Sequence, residues 1–373
     1  METNKRYPAL TMSRDAMLFN TRKLVEWCGE HGIMVAGVVK GFNAIAAGCE
    51  EEARGGVKML ASSRLEHLAE VRAMALKSVD CVDMPTLLIR MPMLCEVEDV
   101  VKTCDYSLNS EIDTLDALDA AAGRQGKTHK VILMTDLGDL REGWFHTENL
   151  VAAALHVEND LANLELAGVG TNLGCVGSIT PTGEKMNQLV ERAEAVETAI
   201  GRELEIISGG ASSSLAPMFD GVMPKKVNML RIGAGIPIGS NDQIKYIYNI
   251  EEIGELRGDC WTLEAQIIEL NTKPTYPIGE IGCNAFGQQI EYEDKGDRKR
   301  AILAVGCADY GDICDIIPQL EGATIFGASS DHTILDIEDV EQELKVGDIV
   351  KFELRYTALL HLTANKTVHQ YVE

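Results

Sequence analysis

Positive charge is what this chain has least of. Its 373 residues carry 34 Lys and Arg against 58 Asp and Glu, a formal charge of −24. That shortage argues against a sequence-independent grip on DNA or RNA, which needs a cationic face, and against anionic membrane surfaces. Long apolar runs are also missing. No uninterrupted stretch reaches the roughly 18 residues a spanning helix requires. The start, METNKRYPALTMSRD, has no apolar core leading to a small-residue cleavage site, so no secretory signal is expected. The 10 cysteines form no CxxC pair, and Cys28, Cys49, Cys81, Cys104 and Cys175 lie on apolar stretches. The expectation is of reduced, mostly buried thiols in a cytoplasmic protein, with neither a disulfide scaffold nor a zinc site. What is present is 46% apolar and 25% charged residues, the composition of an ordered globule of about two domains. A small-molecule task is what remains.

The first two-thirds of the chain repeats one event, a short apolar run followed by a longer stretch with helical spacing. The strand-like runs are Gly32–Val39, Lys58–Ser62, Thr86–Met91, Cys104–Asn109, Lys130–Leu137, Leu164–Asn172, Glu205–Gly209 and Asn228–Gly233. Several are nearly continuous in Val, Ile and Leu, as strands buried on both faces should be. Ser13 is placed to cap the helix ending near Gly32, Ser63 to cap Leu65–Leu76, and Thr180–Pro181 to open a helix running to about Ile200. Eight such strands alternating with helices predict an α/β fold, a (β/α)8 TIM barrel. A doubly wound open sheet is the other architecture compatible with that order, because periodicity does not show closure.

From about Ser240 the texture changes. Tyr246–Ile250, Gly258–Leu270, Arg300–Ala304, Ala323–Phe326 and Ile349–Thr357 are short strand-like runs between Gly, Asp and Asn turns, with little helical pattern. The expected organisation is an N-terminal strand within residues 1–10 packing with a β-domain, a barrel over 11–239, and a C-terminal all-β domain over 240–373.

In barrels the chemistry sits where strands end. The first run ends GIMVAGVVKGFNA. Lys40 there is either a solvated rim residue or an amine whose pKa is lowered by apolar walls, able to form a Schiff base. The fifth run ends TDLGDLREGWF, putting Asp136, Asp139, Arg141 and Glu142 on a loop that is ordinary polar surface or a charged rim around a ligand. The seventh ends SGGASSSLAPM, in which Ser212, Ser213 and Ser214 offer hydroxyls and N–H groups at a helix start, a phosphate cradle or a common βα connection. The eighth ends NMLRIGAGIPIG. Arg231 is either exposed or holding something planar, and Ile236–Pro237–Ile238 reads as extended, so the glycines are not a dinucleotide fingerprint. An amine, a phosphate cradle and a guanidinium at one barrel mouth are what pyridoxal 5'-phosphate would require.

In this order the motifs resemble the fold-type III pyridoxal-phosphate enzymes of the alanine racemase group, most closely the ornithine racemase-like branch, over nearly the whole chain. The resemblance implies that Lys40, in VVKGFNA, is the Schiff-base residue and that Arg141, in DLGDLREGWF, contacts the cofactor. It implies Ser212 and Ser213 as the phosphate pair, Gly233 and Ala234 as the next phosphate loop, Arg231 facing the pyridine nitrogen and Tyr356 touching the phosphate. GCADYGD resembles the segment bearing the second catalytic residue. GASSDHTILD, with Ser330 and Asp331, resembles the segment that closes over the substrate carboxylate. The chain departs from the pattern in three places. Ala44 stands where alanine racemases have a tyrosine, Met134 where many relatives carry a lysine, and Cys307 at the second-face tyrosine, with Tyr310 three residues on.

The activity implied by the resemblance is that of an isomerase, an amino-acid racemase exchanging the α-proton between two bases. Lys40 serves one face and Cys307 the other, unless Cys307 is a packed apolar residue and His332 or Asp331 takes its place. Arg231 keeps its charge at working pH and disfavours protonation of the pyridine nitrogen, which limits the reaction to proton exchange. A head-to-tail homodimer with composite sites is implied. Ornithine is the expected substrate, with Asp139 and Glu142 facing its side-chain ammonium; alanine, serine, lysine and arginine stay open. A D-threonine aldolase-like lyase would need a His-x-Asp or His-x-Cys pair near the C-terminus, where His361 is followed by Thr363 and His369 by Tyr371. A non-catalytic pyridoxal-phosphate carrier would not need the tail, and a plain metabolite-binding barrel would leave Lys40 inert.

Overall fold

The computed structural model describes residues 5–75, 79–81, 83–240, 250–284, 287 and 289–373. Strand β1 (Ala9–Met12) is followed by eight strands that pair in sequence and close on themselves: β2 (Met34–Val38), β3 (Met59–Ser62), β4 (Thr86–Leu88), β5 (Tyr106–Asn109), β6 (His129–Met134), β7 (Leu164–Gly170), β8 (Ile206–Ser208) and β9 (Met229–Ile232). Each neighbouring pair is parallel, and β9 returns to β2 with Ala36 beside Arg231. The closed barrel is therefore the architecture, and the open sheet is not. Its interior is filled by alternate side chains such as Ala36, Val38, Leu87, Leu108, Ile132 and Met229, while the next residues of the same strands, such as Leu88, Val131 and Val169, pack outward on the helices. Burial on both faces is why the sequence runs are apolar without alternation.

The wall is tight enough to constrain single residues. A Cβ at Gly168 would lie 2.1 Å from the Ile206 carbonyl oxygen on the adjoining strand, so any side chain must part β7 from β8. One expected helix start lies two residues further on. The helix Gly183–Ile200 is capped by Thr182, whose hydroxyl accepts from the Lys185 N–H, and not opened by Thr180–Pro181.

The chain falls into two compact units, 14–258 and a second made of 1–13 with 259–373. The barrel unit thus runs to 258, beyond the 239 expected from texture; Tyr246–Ile250 lies mostly outside the described residues. In the second unit β1 pairs antiparallel with β10 (Trp261–Pro274) and parallel with the last strand. The sheet continues through β11 (Asp297–Leu303), β12 (Ile316–Pro318), β13 (Thr324–Ala328), β14 (Thr333–Asp336), β15 (Ile349–Leu354) and β16 (His369–Val372), eight strands with β1 and β10. The run Ile349–Thr357 is not one strand. It stops at Leu354, and Tyr356–Ala364 is a helix whose Ala358, Leu359, Leu362 and Thr363 face inward at helical spacing. Among the described residues, no helix is long and apolar enough to cross a membrane.

Replacing Gly168 with Ala should destabilise the barrel unit by about 3 kcal/mol, because the clash is with backbone. The control Gly29→Ala, in the helix Arg14–Glu30 with open space around its Cβ position, should be neutral or gain up to about 1 kcal/mol. Thermal and urea unfolding of both variants checks the contrast.

Candidate functional site

Strand β2 ends at Val38 and passes into a tight 3-10 turn, Val39–Phe42, that carries Lys40. The Lys40 ammonium has no hydrogen-bond or ion-pair partner among the described residues. Burial holds its pKa below the ordinary lysine value, and the positive charges of Arg141 and Arg231 push the same way, against Cys175 and Glu142. Lys40 is half-buried, and its lowered pKa is what the amine with apolar walls would show.

Arg231 is buried, which removes the exposed alternative. Its guanidinium donates to the Ser208 hydroxyl at the end of β8 and, at 2.8 Å, to the Thr171 carbonyl just past β7. No carboxylate pairs with it among the described residues. Burial brings its pKa down to about 10, so it stays charged near neutrality. The Arg231 N–H also donates to the Gly210 carbonyl at 2.9 Å, which ties the loop after β8 to β9.

That loop holds the serines. Ser212 and Ser213 are buried, Ser212 Oγ accepts from the N–H groups of Gly233 and Gly235 at 3.3 and 3.2 Å, and Ser213 Oγ donates to the Leu173 carbonyl at 3.2 Å. The turn Ser212–Ser214 leads into the short helix Leu215–Phe219. Small hydroxyls and open backbone therefore meet across the loops after β8 and β9, the seventh and eighth barrel strands, where barrels commonly hold phosphate. The segment after Arg231 is not extended. Ile236 N–H bonds to the Gly233 carbonyl and Ile238 N–H to that of Ala234, so Ile236–Pro237–Ile238 is wound into turns. Local apolar pattern does not distinguish a buried turn from a strand.

The loop after β6 corrects a second expectation. Asp139 is buried, and its carboxylate accepts from the N–H groups of Gly174, Cys175, Val176 and Ile179 at 3.0–3.3 Å. Both oxygens are spent on the loop after β7, so Asp139 does not face a substrate ammonium. A Cβ on Gly177 would lie 2.7 Å from the Asp139 carbonyl oxygen, which shows how closely the two loops approach. Asp136 turns its own loop by accepting from Gly138 and Leu140, and Arg192 reaches from the helix Gly183–Ile200 to the Asp136 and Trp144 carbonyls. Arg141 grips its neighbour Glu142 through two guanidinium nitrogens, and both charges act on Lys40. Cys175, expected to be buried, is exposed: its N–H donates to Asp139 while its side chain stays accessible, with the Asn172 amide donating to its sulfur at 3.0 Å. Met134 is part of the barrel interior.

In the second unit Cys307 opens the short helix Cys307–Tyr310. Its N–H bonds to the Ser329 carbonyl at 2.9 Å and that of Ala308 to the Ser330 carbonyl at 3.0 Å, which sets Cys307 beside Ser330 and Asp331. The thiol is half-buried, neither core nor free surface, and burial raises its pKa above 9.0. Tyr310 is fully buried, bonded to the Thr333 hydroxyl at 2.7 Å and 4.0 Å from the Cys307 sulfur, and burial raises its pKa as well. Ser330 Oγ donates to Asp331 Oδ2 at 2.6 Å, and both side chains are exposed, as is His332. Tyr356 begins the last helix and is half-buried.

The Asp139 tether has a pH signature. Burial alone would raise its pKa, but the four N–H groups outweigh it and hold the carboxyl below 3.8. A folded-state pKa below the unfolded one contributes stability that is full above the unfolded value and lost as pH falls through the folded one. Asp139→Asn, which sets amide donors against donors, should therefore cost about 1–3 kcal/mol near neutrality, with the gap to the parent narrowing below about pH 4. Urea titrations from pH 7 to pH 3 measure it.

A model of the alanine racemase N-terminal domain matches residues 12–240. Ornithine racemase of Acetoanaerobium sticklandii is 41% identical over 354 residues, covering 95% of this chain and 96% of that protein. Lysine racemase of Thermotoga maritima is 33% identical over 368 residues, covering 98% and 99%. Among solved structures, an alanine racemase from Streptomyces lavendulae superposes with a TM-score of 0.75 at 16% identity, over 98% of this chain and 96% of that one. A D-threonine aldolase from Filomicrobium marinum reaches 0.71 at 15% identity, over 96% and 89%, so the fold alone does not choose between such activities. With a family model spanning the whole barrel and two racemases aligned along nearly its full length, this chain belongs to the alanine racemase family and is a racemase.

Proposed function

We propose that this racemase interconverts the enantiomers of a basic diamino acid, ornithine first, using pyridoxal 5'-phosphate held at the barrel mouth with Lys40 as its anchoring amine. The observation that carries the proposal is the unpartnered, half-buried Lys40 amine within electrostatic reach of Arg141 and of Arg231, a buried cation served by neutral acceptors. The residues present fit the cofactor. Ser212, Ser213 and the Gly233–Ala234–Gly235 turn suit a phosphate, Arg231 suits a ring nitrogen, and Arg141 lies within electrostatic reach of Lys40. Tyr356, at the start of the last helix, is the further phosphate contact proposed. When bound, the cofactor supplies a conjugated system into which negative charge at the substrate α-carbon can spread.

The chain's own residues then do the rest. A lowered pKa makes the neutral Lys40 amine more available as a base on one face of the α-carbon. Arg231 cannot take a proton from a ring nitrogen, because it is charged at working pH; Ser208 and Thr171 engage two of its five N–H donors, leaving others to point to a ring nitrogen. Cys307 is the proposed acid/base on the other face, supplied with Ser330 and Asp331 by a second copy of the chain in a homodimer. Its raised pKa keeps the thiol protonated near neutrality, the form that delivers a proton. With Asp139 spent on backbone, Glu142 is the rim carboxylate we assign to the side-chain ammonium, shared with Arg141. Relatives acting on ornithine and on lysine favour a diamino substrate.

A panel of L-amino acids followed by loss of optical rotation, with and without added pyridoxal phosphate, tests reaction and substrate together. Ornithine and lysine should racemise and alanine should lag; activity confined to alanine would remove the substrate reading. Borohydride should bleach the cofactor's visible band and fix it to the Lys40 peptide. Lys40→Ala should abolish racemisation in both directions, as two enantiomers of equal free energy require. Cys307→Ala should slow α-proton exchange with solvent from one enantiomer by about 100-fold or more and leave the other within a few-fold. Equal, unchanged exchange from both would remove Cys307 from the mechanism.

A further inference from the structure

The lysine turn contains two consecutive non-glycine residues in the left-handed region, Asn43 at φ 55° and Ala44 at φ 50°. Side chains beyond glycine resist that conformation, asparagine least among them. Within the turn, the Asn43 N–H donates to the Lys40 carbonyl at 3.2 Å and that of Ala44 to the Val39 carbonyl at 3.0 Å. A chain of hydrogen bonds reaches it from the neighbouring strand. The Arg64 N–H donates to Ser62 Oγ at 3.2 Å, Ser62 Oγ lies 3.0 Å from His67 Nδ1, and His67 Nε2 lies 2.7 Å from Asn43 Oδ1. Proton counting gives the directions. Asn43 Oδ1 only accepts, so Nε2 carries the hydrogen. Nδ1 of the neutral ring then accepts from the Ser62 hydroxyl, which keeps a lone pair for Arg64. Burial lowers the His67 pKa, against the pull of Glu70 and Glu66, which agrees with a neutral ring.

We infer that His67 is a positioning residue for Lys40. By holding the Asn43 side chain it keeps the left-handed turn closed and so fixes the backbone from which the catalytic amine projects; this rests on the role proposed above for Lys40. Ser62 ends β3 and His67 lies in the first turn of the helix Leu65–Ala75, so the brace joins the lysine turn to the adjacent βα unit. Ala44 is buried and has no side chain beyond Cβ to reach out from the turn, which leaves that work to Asn43.

Three variants test it. His67→Phe keeps the ring and removes both hydrogen bonds. His67→Gln restores a donor towards Asn43, and Asn43→Gly removes Oδ1 while tolerating positive φ. In protein without cofactor, deuterium exchange in peptides covering residues 39–45 should quicken about tenfold in His67→Phe, as expected for one lost hydrogen bond, with the helix Thr147–Asp160 unchanged. His67→Gln should recover most of the protection. In the loaded enzyme, kcat should fall about tenfold in His67→Phe with KM within about twofold, and the His67→Phe/Asn43→Gly double variant should be no worse than the poorer single one. Wild-type exchange in His67→Phe, no rescue by Gln, or additive losses in the double variant would overturn the inference. If His67→Phe does not fold, His67→Gln and Asn43→Gly carry the same comparison. A protein that racemises no amino acid would defeat the proposed function, while the exchange data would still decide the brace.

Discussion

A guanidinium buried without a carboxylate is costly unless neutral acceptors are built around it, and the barrel end is organised by that requirement. Arg231 is reached by the Thr171 carbonyl after β7, the Ser208 hydroxyl of β8 and, through its own backbone, the Gly210 carbonyl. The ends of β7 and β8 therefore converge on one side chain of β9. The same convergence brings the Ser212 loop against the Gly233–Gly235 turn, with Lys40, on the turn after β2, within electrostatic reach of Arg231. Pairing Arg231 with an aspartate would satisfy it more simply. It would also remove the smallest of the contributions that lower the Lys40 pKa, which burial and Arg141 dominate.

The acidic character of the chain is used unevenly. Asp136 and Asp139 are buried and accept backbone N–H groups, so they act as loop anchors and add little negative charge to the surface. Glu142 is taken up by Arg141. Arg231 is thus left as a buried cation at the barrel mouth of a chain whose net charge is −24. Arg192 adds a brace from behind, donating to carbonyls of the β6 loop without facing the lysine's surroundings.

Much of this is legible in residue order. Apolar runs long enough to be buried on both faces locate the barrel strands, and a Lys, an Arg and a Gly-Ser segment at three of their ends mark the mouth. Other features are hidden because they depend on what a side chain meets across the fold. Asp139 reads as a rim carboxylate until the loop after β7 fills it with N–H donors. Cys175 reads as core because its neighbours are apolar, yet it lies on the loop after β7 with its side chain exposed. His67 carries no motif, and its importance lies in the 2.7 Å to Asn43, a residue 24 positions away. The helix Tyr356–Ala364 is hard to see in the sequence because its first residues extend a β-rich run.

Sequence alone determined the repeating βα pattern, the change of texture towards the C-terminus, and which residue types stand at the strand ends, since these depend on periodicity and local composition. Closure of the barrel, burial of Arg231, lowering of the Lys40 pKa and the diversion of Asp139 to backbone were decided by tertiary structure. Desolvation and long-range hydrogen bonds set each of them, and neither exists until distant segments share one interior.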